Sequence, residues 1–133
     1  MMSQEVEEDK RLVCENSRFL AFAPFASRFP FEVWILPKEH HSDFSFIRTE
    51  DVIELARILK QVLLKIKKVL KDPPYNFIIH TSAIEERERE DYHWHIEIMP
   101  KLTSIAGFEW GSGFYINHTP PELAAEYLRK AKV

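Results

Sequence analysis

Residues 93–98 read His-Trp-His-Ile-Glu-Ile, a strict alternation of polar and apolar side chains. On a β-strand successive side chains point to opposite faces. His93, His95 and Glu97 therefore share one face, and Trp94, Ile96 and Ile98 the other. A further histidine, His80, ends the apolar run "YNFIIH" upstream. If that strand pairs antiparallel with the His93/His95 strand, His80 falls opposite one of those two histidines. Neighbouring strands lie about 4.8 Å apart and i, i+2 side chains about 7 Å apart. Three imidazoles at that spacing can converge on one ion at about 2.0–2.1 Å from each nitrogen. Glu97 is then either a fourth ligand or a carboxylate that orients an imidazole from behind. The same alternation also suits a strand face that is merely polar. His40, His41 and His118 read as loop histidines.

The elements that must position these groups follow from the rest of the pattern. "RLVCEN" and "FLAFAPF" are short apolar runs separated by Asn16 and Ser17, which predicts two strands joined by a turn. "FEVWILPKEHH" predicts a third, closed by Pro37. Thr49 is placed to cap a helix whose first turn carries Glu50 and Asp51, the charge that suits a helix N-terminus. Apolar residues at 52, 55, 56, 59, 62, 63, 66, 69 and 70 then form one helical stripe, and "DPP" stops it just past Lys71. "YNFIIHTS" is the next strand. "AIEEREREDY" reads as a solvated connection, and "YHWHIEIMP" as the strand beyond it. "AGFEWGSGFYIN" holds all 3 glycines and predicts a loop or bulged hairpin. A last helix, "PPELAAEYLRKA", is capped by Thr119, with proline at its first position. The expected fold is α+β: a mostly antiparallel sheet, the helix of residues 49–71 across one face, and a short C-terminal helix.

Length and composition bound the function. A chain of 133 residues is one domain's worth, expected over residues 11–133, with 1–10 as a solvated tail or linker stump. A net charge of −3 leaves no basic footprint for nucleic acid. There is no long apolar run for a membrane span and no signal-peptide pattern. Cys14 is the one cysteine. It excludes an internal disulfide, is expected to pack as a small hydrophobe, and points to a cytoplasmic location. With 3 Trp, 10 Phe and 4 Tyr, some aromatic surface is expected to remain for self-association as a homodimer.

"HWHIEIMP" resembles the histidine-triad signature. His93 stands for the first histidine and His95 for the second, the superfamily's nucleophile, while Glu97 replaces the third. Pro37, Lys38 and His40 match that family's Pro-Lys-x-His strand end, and His80 stands where asparagine is common. Over about residues 10–130 the chain is similar to the C-terminal half of the galactose-1-phosphate uridylyltransferase family, through "RFPFEVWILPKEH", "YHWHIEIMPKL" and "AGFEWGSGFYIN". The resemblance implies that His80, His93 and His95 hold one structural metal ion, zinc or iron, with a glutamate from an N-terminal half as fourth ligand. It also implies that Thr103, Ala106, Phe108 and Glu109 contact a nucleotide sugar such as a UDP-hexose, or a hexose phosphate. For Ala106 and Phe108, core packing is the alternative.

Two departures qualify the resemblance. The chain lacks the His-Pro-His-Gly-Gln motif of the N-terminal half. It also lacks the glycine-rich phosphate cradle of free-standing triad hydrolases, and "EEREREDY" stands in that place. The expected function is a metal-binding, uridylyltransferase-like C-terminal domain (UDP-glucose:hexose-1-phosphate chemistry, galactose metabolism) that works with a separate N-terminal half or survives as a remnant, inactive without that half. The alternatives are a free-standing nucleotide hydrolase or transferase with His95 as nucleophile and Glu97 orienting it, and a metal-stabilised binding module without catalysis.

Overall fold

The computed structural model describes residues 11–25, 29–39, 47–81, 94–101 and 119–133. Within them are five strands and two helices: β1 (Leu12–Glu15), β2 (Phe19–Phe22), β3 (Val33–Pro37), α1 (Thr49–Leu70), β4 (Tyr75–His80), β5 (His95–Pro100) and α2 (Pro121–Lys130). The strands form one sheet in the order β1-β2-β3-β5-β4, with every neighbouring pair antiparallel. This is the expected α+β architecture.

The β1–β2 turn shows why the sequence bends where it does. Asn16 Oδ1 accepts hydrogen bonds from the backbone N–H of Arg18 and Phe19 at 2.9 and 2.8 Å. Its amide donates to the Glu54 carbonyl at 2.9 Å, which ties the turn to α1. Asparagine suits this role because its side chain mimics a turn of backbone.

One face of the sheet carries Val13, Phe19, Ala21, Val33, Ile35, Ile96 and Ile98, all buried, together with Trp94 just before β5. Leu55, Ile58, Val62 and Ile66 of α1 cover it, and Ala124, Ala125 and Leu128 of α2 complete the core. The buried stripe of α1 is rotated from the one expected. Ile58 lies at its centre, whereas Val52 and Ala56 are exposed and Leu59 only half-buried. The sequence shows which residues are apolar, but the tilt of the helix on a twisted sheet decides which of them meet it.

Helix ends differ from expectation in the same small way. Thr49 is already helical, and Arg48 takes the N-cap position without a side-chain bond. Pro120 takes the corresponding position before α2, with Pro121 at the first turn. Lys71, at φ 60°, closes α1 in the left-handed conformation, and Asp72 N–H donates back to the Lys67 carbonyl at 2.9 Å.

Lys65 is buried beneath α2. Its ammonium donates to the carbonyls of Leu128 at 3.1 Å and Ala131 at 2.7 Å, so a cation from α1 satisfies the C-terminal carbonyls of α2. Cys14 is half-buried against the core, as expected, and burial pushes its thiol up to about 11.

The sheet's other face carries a smaller apolar cluster of Leu20, Phe22 and Leu36, with Leu12 and Trp34 packed against it. Among the described residues β4 is an edge strand, and Tyr75, Phe77, Ile78 and Ile79 along it are exposed. No helix among the described residues is long and apolar enough to cross a membrane. The expectations for the 1–10 tail, the 83–92 connection and the glycine-bearing 106–117 segment lie outside the described residues.

Candidate metal centre

Register brings the chemistry together. In the β4–β5 ladder His80 pairs with His95 and Ile78 with Glu97. In the β3–β5 ladder Trp34 pairs with Glu97. Because side chains alternate along a strand, His80, His95, Glu97 and Trp34 all lie on the face opposite the helices. Directly opposed residues sit close enough to touch, and they do. The two imidazoles stack with centroids 4.9 Å apart and planes 18° from parallel. On the other side of His95 the Trp34 indole stacks at 4.5 Å and 22°. His95 is thus clamped between two rings.

Both histidines meet one carboxylate oxygen. Glu97 Oε2 lies 2.9 Å from His95 Nε2 and 3.0 Å from His80 Nε2. The Glu97 side chain is only 6% exposed and that of His95 15%, whereas that of His80 is 42% exposed. The cluster is therefore sealed on the β5 side and open at the sheet edge. A carboxylate buried this deeply needs donors or a cation to offset the loss of water. Two imidazole N–H groups can supply the donors. A bound cation does so equally well, with both imidazoles turned neutral toward it.

One donor atom each from His80, His95 and Glu97 falls within 4.8 Å of the others. Imidazole nitrogen with carboxylate oxygen is a donor set that suits zinc or iron. The residues present fit such an ion, which would pin the edge strand β4 to β5. Of the ligand set expected from sequence, His80 and His95 are brought together. His93 lies outside the described residues, as do Thr103, Ala106, Phe108, Glu109, His40, His41 and His118. Glu97 Oε2 meets both imidazoles, which suits either expected role, ligand or orienting carboxylate.

Sequence reasoning did not single out Trp34 and Glu32. The Trp34 indole N–H donates to Glu32 Oε2 at 2.7 Å, and Glu32 is buried. The signal was present in "FEVW", where Glu32 and Trp34 alternate onto the face that carries His95. It becomes visible only once the β3–β5 register is known.

Trp94 is on the opposite face. It packs edge-on against Phe19 at 5.9 Å, as the alternation of residues 93–98 requires.

Comparison with known proteins gives this chain a lineage. The family model described as "Galactose-1-phosphate uridyl transferase, C-terminal domain" matches residues 1–129. An ADP-glucose phosphorylase of Arabidopsis thaliana is 41% identical over 131 residues, spanning 97% of this chain and 37% of that protein. A galactose-1-phosphate uridylyltransferase of Thermotoga maritima is 36% identical over 137 residues, spanning 97% and 43%. The crystal structure of an Arabidopsis thaliana ADP-glucose phosphorylase with bound ADP-glucose superposes with a TM-score of 0.82 at 39% identity, covering 97% of this chain and 42% of the other. A hypothetical histidine triad nucleotide-binding protein of Sulfolobus tokodaii shares the fold at a TM-score of 0.67 and 19% identity, covering 98% and 90%. The chain thus spans about two fifths of the length of these two curated relatives. By its sequence along nearly its whole length, it belongs to the family of C-terminal domains of galactose-1-phosphate uridylyltransferase.

Proposed function

We propose that the chain is the metal-binding C-terminal part of a nucleotide-sugar nucleotidyltransferase, and that catalysis needs a complementing N-terminal half. The observation that carries this reading is the convergence of His80 and His95 on Glu97, within a chain that matches the C-terminal family model over residues 1–129. The ion is zinc or iron, held by His80, His95 and Glu97 with His93 as a further ligand. When bound, it supplies a crosslink between β4 and β5. Thr103, Ala106, Phe108 and Glu109 contact the sugar end of the substrate, a UDP-hexose or another nucleotide sugar of the kind named for the relatives, or a hexose phosphate. The complementing half adds at the exposed edge of β4. Without it, that edge pairs with a second copy of the chain. The location is cytoplasmic, a reading supported by the lone Cys14.

One observation favours a second reading, a free-standing hydrolase or transferase. The Glu97–His95 contact at 2.9 Å is the kind that orients a nucleophilic imidazole. Yet the nitrogen so held is Nε2, and while it is engaged with Glu97, or with an ion, it has no lone pair to offer a phosphate. The run "EEREREDY", mostly acidic, would also repel the phosphate. Both facts favour the first reading.

The test is incubation of the purified chain with UDP-glucose and with ADP-glucose, alone and with a separate N-terminal half carrying His-Pro-His. Transfer of the nucleotidyl group from the sugar nucleotide to a histidine of that half, with release of glucose 1-phosphate, is expected only when the half is present. Acid-labile nucleotidyl-histidine on the chain alone, lost in His95→Asn, would replace this reading with the second.

A further inference from the structure

We infer that Glu32 and Trp34 are positioning residues for the metal ligand His95, and that they set the affinity and geometry of the site without touching the ion. This rests on the metal-binding reading and deepens it.

The chain of contacts is continuous. Phe31 sits at φ 63°, a left-handed conformation that a bulky aromatic residue adopts only when its surroundings compel it. Its side chain is buried in the helix-side core, 6.4 Å from the Tyr127 ring. Strain of this kind persists only where packing over-determines it, and it gathers near sites that use it. The next residue, Glu32, is then 2% exposed, just before β3. Its carboxylate takes the Trp34 indole N–H at 2.7 Å and fixes the rotation of the indole about its own side-chain bonds. The indole face covers the His95 ring at 4.5 Å. Stacking hinders tilting of the His95 ring and leaves rotation within its own plane, in which Nε2 meets Glu97 Oε2 at 2.9 Å.

A ligand pre-set in this way loses little freedom when an ion arrives, so affinity rises. Imidazole ligands are usually fixed by a hydrogen bond to the second ring nitrogen, and loss of such partners commonly weakens metal binding by about 10–100-fold. Here an indole face constrains the ring from one side, and a buried carboxylate holds the indole. The His80 ring completes the stack from the other side at 4.9 Å. Two of the three donor groups are thereby kept parallel.

The probe is cobalt(II) alone, titrated into the metal-free chain well below its melting temperature and read by its visible absorption. Parent protein, His95→Asn, Trp34→Leu, Trp34→Phe, Glu32→Ala and the Glu32→Ala/Trp34→Phe double variant are compared. Trp34→Leu removes the ring face and is expected to weaken binding by about 10–100-fold, with a changed absorption envelope. Trp34→Phe keeps a ring but lacks the indole N–H, and Glu32→Ala removes its acceptor. Each is expected to lose less than Trp34→Leu. The double variant should be no weaker than the weaker single, because both remove one and the same link.

Cobalt affinity and spectrum in Trp34→Leu within about twofold of the parent would overturn the positioning role while leaving the metal site standing. Additive losses in the double variant would overturn the Glu32–Trp34 link. A parent chain that takes up no cobalt, or takes it up equally in His95→Asn, would remove the metal reading and this inference together. Should Trp34→Leu fail to fold, Trp34→Phe, Glu32→Ala and their double variant decide the question.

Discussion

Zinc added to the metal-free chain should raise its melting temperature, and His80 should be required for the rise. The cluster joins one donor on β4 to two on β5. β4 is the edge strand, and its Phe77 is 55% exposed. Side-chain burial therefore contributes little to holding it, and the backbone ladder to β5 does most of that work. An ion that binds only the folded arrangement adds RT ln(1 + [L]/Kd), about 2.7 kcal/mol when free metal stands at about 100 times Kd. Unfolding entropies of about 2.1 cal/mol/K per residue give about 0.28 kcal/mol/K for a chain of 133 residues. The rise is then about 10 °C. His80 is the cleanest residue to remove. At 42% side-chain exposure, His80→Ala should change the metal-free protein by no more than about 0.5 kcal/mol, or about 2 °C. Scanning calorimetry with and without zinc measures both quantities, and amide exchange along residues 75–80 should slow when zinc is present. An undiminished rise in both His80→Ala and His95→Ala would refute the assignment, because the ion would then be bound elsewhere.

Other substitutions probe the frame around the site. Ile58→Ala removes a side chain 1% exposed at the centre of the α1 stripe. It should cost about 2–5 kcal/mol in denaturant unfolding, and more than Leu59→Ala, whose side chain is only half-buried. Lys65→Met keeps the aliphatic stem but removes the cation that caps α2, a loss of about 1.5–3 kcal/mol for hydrogen bonds from a charged donor. Loss of helix signal with little change in sheet signal would identify it by circular dichroism. Cys14 predicts a pH dependence: its thiol rises from 9.0 to about 11 on folding, chiefly through burial. Between those values the folded chain holds a proton that the unfolded chain has lost, so stability falls as pH rises from 9 toward 11, and Cys14→Ala should flatten that part of the profile. Light scattering should find the isolated chain self-associated at high micromolar concentration, and Phe77→Lys, on the exposed β4 edge, should make it monomeric.

The strands were legible because each is bounded by a residue with a local physical signature. Asn16 makes its own turn, Pro37 and Pro100 end β3 and β5, and the prolines after Lys71 stop α1. The shared face of His95 and Glu97 was equally legible, since alternation is a property of one strand alone. The partner of His95 was narrower than a guess but wider than an answer. Antiparallel pairing allowed His80 to meet His93 or His95, and only the register, His80 against His95 with Tyr75 against Pro100, decides between them. What could not be read was anything that depends on a third strand. The clamp on His95 comes from Trp34, which is remote in sequence and is brought in because β3 lies beside β5 in the sheet order. The rotated stripe of α1 is the same kind of fact, set by how a helix lies on a twisted surface.

That distinction bears on how the site is built. Glu97 and His95 belong to a strand flanked on both sides, and their side chains are 6% and 15% exposed, while His80 sits on the edge at 42%. A site with two anchored donors and one at a free edge responds to whatever is added at that edge. A strand laid against β4 would extend the sheet past His80, shield its ring from water and strengthen every electrostatic interaction of the cluster, because the effective dielectric falls as water leaves. Metal affinity and addition of the complementing half are then linked, and linkage is reciprocal. The half should bind the zinc-loaded chain more tightly than the metal-free chain, by the same factor by which it tightens the hold on zinc. Titration calorimetry of the half into both forms gives one side of that equality, and zinc titrations with and without the half give the other. Equal affinity of the half for the two forms would show that the partner docks away from β4.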